Sequence, residues 1–360
     1  MPLTILERGT EYLGEGPTLA VTGMVVGSLF GFLAQRSRFC LRSAVIEFSR
    51  NHGGGKLTVW LFAFSTAILA TQILAQLGWF DASVSRQIAA RGSLSGAAIG
   101  GALFGVGMIL ARGCSSRLLV LAAQGNLRSL MSGLVFAVAA QAAWTGLLAP
   151  VREIISAWWT VDGGTSRDIL ARSGIGHVGA IGLGLIWLIA AVVWARRQCV
   201  TTWAWAGAIG VGLTIAGAWW ATYVISLVSF DPHPVQSLSF TGTSADVLSR
   251  VLFTTDKPLT FDLGLVPGVF LGAFLSAALF GELKLEGFQG GAGMRRYLIG
   301  AMCMGFGGML AGGCAVGAGL SGTSVFTITA FTTLTAMWIA AALTDRLLDQ
   351  RPAAAILDQP

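Results

Sequence analysis

Long apolar runs without a single Asp, Glu, Lys or Arg recur from one end of this chain to the other. They fall at 17–35, 57–80, 92–111, 129–151, 173–195, 198–230, 263–281, 297–311 and 325–344. A helix of about 20 residues crosses the roughly 30 Å hydrocarbon core of a bilayer, and every run except the eighth reaches that length. In lipid each backbone N–H and C=O must be paired internally, so the runs predict helices. The expected fold is all-α and integral to the membrane, with about nine transmembrane helices in a single polytopic domain over 1–360. Charged residues are 11% of the chain and hydrophobic ones 54%, against roughly 25% and 45–50% in soluble domains, so no segment is left for a separate soluble domain.

The basic balance is not a nucleic-acid signal here, because Lys and Arg cluster in the short stretches between runs. With nine crossings and the N-terminus outside, 15 of the 23 Lys and Arg lie on the cytoplasmic side, which predicts an outer N-terminus and an inner C-terminus. The run 198–230 exceeds one crossing, so it is expected to tilt or to end in an interfacial helix. The segment 231–262 becomes the main external loop, turn-rich at Pro232, Pro234, Gly242 and Ser244. Glu7, Glu11 and Glu15 against Arg8 alone are unlike a cleavable leader, so the first span is expected to remain. Five cysteines without a C-x-x-C pair, and three histidines (His52, His177, His233) away from them, give no disulfide framework or metal site. No catalytic group and no cofactor is expected.

Glycine is patterned. Gly23, Gly27 and Gly31 form a small-x-x-x-small row, as do Gly264, Gly268 and Gly272, and such rows let membrane helices approach closely. A longer likeness joins 105–114 (GVGMILARGC) to 305–314 (GFGGMLAGGC) at an offset of 200, with six of ten positions identical. Each copy is an apolar helix that stops at glycine just before a cysteine. Broken helices at matching places in two halves point to a transporter's binding site, and a half-helix starting after each cysteine would turn its amides toward an anion. The repeat halves are expected over 17–151 and 258–345, in inverted topology. The two glycine rows run in the same direction on this count. Either their likeness is unrelated to the repeat, or one crossing is miscounted.

A third cysteine follows the first span in the segment Arg36-Ser37-Arg38-Phe39-Cys40-Leu41-Arg42, where the arginines would attract an anion. Arg38-Phe39-Cys40, Arg112-Gly113-Cys114 and Gly312-Gly313-Cys314, in this order over about residues 20–345, resemble the YeeE/YedE family of bacterial inner-membrane proteins. The resemblance implies that Cys40, Cys114 and Cys314 line the route of thiosulfate; their motif neighbours Arg38, Arg112, Gly113 and Gly313 are expected to bind the ion with them. It also implies a small soluble sulfur-carrier partner of the TusA type. Arg112 departs from the commoner Gly-Gly form. Cys199 and Cys303 fall outside the motifs and are expected to be packing residues.

Thiosulfate is a dianion with a soft terminal sulfur, which a neutral thiol can contact without holding tightly. Conduction needs sites favourable enough to enter and weak enough to leave. Two alternatives stand beside this expectation: a carrier of another sulfur or selenium species, or a membrane sulfurtransferase working through a persulfide.

Overall fold

The computed structural model describes residues 9–10, 12–50, 54–198, 200–229, 233–253, 258–287 and 291–348. His52, Cys199 and Pro232 lie outside them. The helices are α1 (Glu15–Ser37), α2 (Leu41–Ser49), α3 (Gly55–Gln76), α4 (Arg86–Ala89), α5 (Leu94–Leu110), α6 (Ser115–Ala123), α7 (Leu127–Trp144), α8 (Ala149–Ala157), α9 (Ile169–Ser173), α10 (Gly176–Gln198), α11 (Thr202–Val228), α12 (Thr241–Phe253), α13 (Phe261–Leu279), α14 (Gly291–Leu310) and α15 (Ile328–Leu348). A π-helical turn covers Gly317–Gly322, and the two short strands β1 (Gly92–Ser93) and β2 (Thr160–Val161) pair antiparallel.

Eight helical segments among the described residues are long and apolar enough to cross a membrane. They match the apolar runs in place, and the fold is an all-α membrane protein. The remaining run is α14, which carries Arg295 and Arg296 near its start. Its uncharged part, about 14 residues, rises only about 21 Å. It nevertheless lies inside the bundle along α5.

Glycine decides how these helices meet. A Cβ on Gly27 would press on the Leu265 carbonyl, and one on Gly264 would press on that of Ala20. The partners advance together (23 with 261, 27 with 265, 31 with 269), so α1 and α13 run parallel with their backbones in contact. The two glycine rows are thus the two sides of one interface. Their shared direction is what that interface requires.

The pair α5 and α14 behaves differently. Gly100 packs on Gly307 and Gly107 on Gly300, each Cβ position falling about 2.5–2.7 Å from the partner's carbonyl, so these helices are antiparallel. Other elements recur near the same offset of 200, α2 with α12 and α7 with α15.

The loop expected over 231–262 needs correction. Residues 241–253 form α12, which packs on α7 and α13. Its buried side, Thr241, Thr243 and Ala245, faces the protein, while the Asp246–Arg250 pair at i,i+4 closes at 3.0 Å. Turn-forming residues at 232–244 concealed a half-helix that only tertiary packing stabilises. Of the long run 198–230, Thr202–Val228 form one continuous helix, α11.

Candidate functional site

Three helices stop in the same way. In α1, the N–H of Arg38 bonds Gln35 O at 3.2 Å and that of Phe39 bonds Ala34 O at 3.1 Å. In α5, Arg112 bonds Ile109 O at 3.3 Å and Gly113 bonds Met108 O at 3.1 Å. In α14, Gly312 bonds Met309 O at 3.3 Å and Gly313 bonds Gly308 O at 2.9 Å. Such paired bonds close a helix onto a residue in the left-handed region, here Arg38 (φ 51°), Arg112 (φ 56°) and Gly312 (φ 76°). Two residues later each chain reaches a cysteine. Cys40 and Cys114 are the N-cap residues of the nine-residue half-helices α2 and α6, and Cys314 opens the turn leading into the π-helical segment.

All three sulfurs are buried. Cys314 Sγ accepts the backbone N–H of Phe240 at 3.3 Å and that of Gly317 at 3.4 Å. With its lone pairs engaged, its S–H is left to donate to a ligand. At the other end of the bundle the thiols of Cys40 and Cys114 face each other, and Cys114 Sγ lies 3.4 Å from Ser116 Oγ. Each thiol stands at the opening of its half-helix, Cys40 against the backbone N–H of Ser43 and Cys114 against that of Arg117. Position 240 stands where the offset of 200 places the mate of Cys40. It is Phe240, whose ring packs 5.4 Å from that of Phe30.

The broken backbone is satisfied by neighbours, as a bilayer demands. Gln72 Nε2 donates to Ser324 O at 2.7 Å, Trp219 Nε1 to Ser324 Oγ at 3.2 Å, and Ser321 Oγ to Leu238 O at 2.7 Å. His177 Nδ1 holds Gln72 Oε1 at 2.8 Å, and His233 pairs with Glu15 at 3.2 Å. Phe30, Phe104 and Met304, on α1, α5 and α14 and each ten residues before a motif cysteine, are fully buried. Cys303 is half-buried within α14.

The arginines are distributed differently from their sequence neighbours. The Arg38 side chain is 63% exposed and reaches Glu282 only at 3.9 Å. Arg112 is exposed, with its guanidinium 5.9 Å from the centre of the Tyr297 ring. The left-handed backbone at both positions turns these side chains away from the thiols. The cation beside Cys40 and Cys114 is Arg117, whose buried Nη1 has no hydrogen-bond partner. Sequence reasoning missed it, although its place three residues after Cys114 was a usable signal. Gly113 is buried at the turn into α6, and a Cβ on Gly313 would fall 2.9 Å from Ala318 N, so the re-entrant turn needs glycine there.

Two recesses approach the cysteines from opposite ends. A cavity of about 420 Å³ is rimmed by Arg86, Arg91, Arg152 and Arg167 and reaches Gly313 and Gly317, the neighbours of Cys314. The other, about 320 Å³, is lined by Arg42, Ser43, Glu47 and Lys56 and lies just beyond Cys40. Cys40, Cys114 and Cys314 themselves line neither recess. Among the described residues no group of His, Cys, Asp and Glu could hold a metal ion.

A helical membrane bundle whose helices break at buried cysteines, with a basic recess toward either end, is an architecture suited to membrane transport. The chain belongs to the sulphur transport (YeeE/YedE) family, whose model matches residues 36–343. A protein named thiosulfate transporter TsuA from Spirochaeta thermophila is 29% identical over 322 residues, covering 84% of this chain and 90% of that protein. Another of that name from Escherichia coli K12 is 23% identical over 323 residues, covering 86% and 89%.

Proposed function

We propose that this protein carries thiosulfate across the bacterial inner membrane through a passage stepped by Cys314, Cys114 and Cys40, supplying sulfur for assimilation. The supporting observation is the threefold recurrence of one device: a left-handed helix stop, a cysteine two residues on, and a new helical segment behind it, a half-helix after Cys40 and Cys114 and a π-helical turn after Cys314. Backbone amides at such openings suit the oxygens of the ion, and the thiols suit its terminal sulfur. The buried placement of all three sulfurs fits sites that are sampled one after another and bind none too tightly. The orientation in this reading is N-terminus outside and C-terminus inside, which puts the four-arginine cavity on the outer face.

The repeat is read here as residues 15–144 and 202–348. The pairings of α1 with α11, α2 with α12, α3 with α13, α5 with α14 and α7 with α15 support starting the second half at Thr202 and not at 258. On the inner face, a soluble carrier of the TusA type is the partner the family resemblance implies.

Two negative charges entering against 100 mV cost about 4.6 kcal/mol, so transport is drawn by consumption of the ion inside. The test is uptake of labelled thiosulfate into liposomes that hold only this protein. Uptake that thiol alkylation blocks is the expected result, and alkylated protein transporting at the full rate would refute the cysteine route.

A further inference from the structure

Arg167 is the one guanidinium of the outer cavity that is itself buried, at 7% exposure. It is braced on two sides. Nη2 donates to Thr329 Oγ1 at 2.7 Å, and Nη1 donates to the carbonyl of Ala90. It also lies flat on Gly92, where a Cβ would fall 2.7 Å from its Cζ. Its backbone is fixed by bonds to the α15 approach, Ile328 N to Arg167 O at 3.0 Å and Ile169 N to Phe326 O at 3.0 Å. Yet Nε is buried without a hydrogen-bond partner, and no carboxylate pairs with the group among the described residues.

A second orphan lines the same cavity. Thr241 is 1% exposed and its Oγ1 has no partner. Thr241 is the first residue of α12, next to the Phe240 N–H that holds Cys314. Ser237 and Ser239 also line the cavity. Of the four arginines there, Arg91 pairs with Asp162 at 3.8 Å and Arg152 with Glu153 at 3.3 Å, and the carboxylate of the lining, Asp262, is engaged by Thr243 Oγ1 at 2.9 Å, which leaves Arg167 without an acidic partner among the described residues. A buried donor without a partner is exceptional in proteins and calls for an acceptor such as an ion, a ligand or water, and a fixed guanidinium fork matches the oxygens of a tetrahedral oxyanion. About 420 Å³ leaves room for such an ion together with several waters.

We propose that the outer cavity is an oxygen-directed capture site centred on Arg167, which takes tetrahedral dianionic oxyanions, sulfate as well as thiosulfate, ahead of the cysteines. The inference deepens the transport reading and rests on it for direction. It divides the work: Arg167 and the cavity hydroxyls recognise charge and oxygen, and the thiols beyond select for sulfur. Sulfate then binds and competes but does not pass.

The experiment uses the full-length protein in lipid nanodiscs, titrated calorimetrically with sodium sulfate, beside thiosulfate uptake in liposomes. Wild type is expected to bind sulfate, and sulfate is expected to inhibit uptake competitively. Arg167→Gln and Arg167→Lys are each expected to weaken sulfate binding at least about tenfold, since a charge-assisted hydrogen bond is lost in both. The lysine variant keeps a cation in place and serves if the glutamine variant does not fold. Wild-type protein that binds no sulfate, or a folded Arg167→Lys variant with unchanged affinity, overturns the proposal. Sulfate binding through Arg167 without any thiosulfate uptake leaves this site standing and removes the transport reading; uptake with sulfate binding indifferent to Arg167 does the reverse.

Discussion

Replacing Cys314 separates sulfur chemistry from architecture. Its sulfur is fully buried and accepts two backbone N–H groups, from Phe240 and Gly317. In Cys314→Ala both amides lose their acceptor. An unsatisfied buried donor costs about 1–3 kcal/mol, and sulfur is a weak acceptor to begin with, so the low end applies to each, about 2 kcal/mol together. In Cys314→Ser an oxygen takes over both bonds, and most of that loss is recovered. The two variants should therefore differ in thermal stability in detergent, alanine melting several degrees below wild type and serine close to it. In uptake they should agree, because a hard hydroxyl cannot replace the soft contact to the terminal sulfur, and both should fall to the background of empty liposomes. A serine variant that carries thiosulfate at the wild-type rate would show that the position serves only as a hydrogen-bond acceptor, and the relay would have to be abandoned.

Arg112→Gly relieves a left-handed non-glycine backbone and removes an exposed side chain, so it should stabilise the protein by about 1 kcal/mol and leave uptake unchanged; lost uptake would place Arg112 in the passage after all. Gly307→Leu drives a branched side chain into the Gly100 backbone, and the expected outcome is a separated α5–α14 pair and protein that aggregates on extraction. Asp345 is fully buried and takes a bidentate bond from Arg50 at 2.7 and 2.8 Å, so Asp345→Asn should cost about 3 kcal/mol, with the Arg50→Gln/Asp345→Asn double variant recovering part of it. Burial lowers the pKa of Arg167 to about 10. The group still carries its proton throughout pH 6–8.5, so sulfate binding should be flat there and weaken only as the pH approaches 10, whereas a binding curve that breaks near pH 7 would point to a different titrating group.

Read by itself, the chain disclosed what depends on contiguous residues. The apolar runs located the crossing helices because the length of a lipid-exposed segment and the need to pair its backbone are local matters. The stops before Cys114 and Cys314 were legible for the same reason, since a helix that breaks at glycine before a cysteine is written within half a dozen residues, whereas the left-handed backbone at Arg38 and Arg112 had no glycine of its own to announce it. The glycine rows announced close packing, although not that they pack on each other.

The rest was decided across the fold. α12 has a turn-like sequence and becomes helical by resting on α7 and α13. Arg38 and Arg112 sit beside cysteines in sequence, yet their left-handed backbone sends them outward, while Arg117 comes to stand by two thiols 77 and three residues away from it in the chain. Phe240 meets Cys314 across 74 residues, and Arg167 meets Ala90 and Thr329 across 77 and 162. A side chain's direction and its distant neighbours follow from how helices cross, and helix crossing is settled by the packing of whole faces, not by any stretch of residues taken alone.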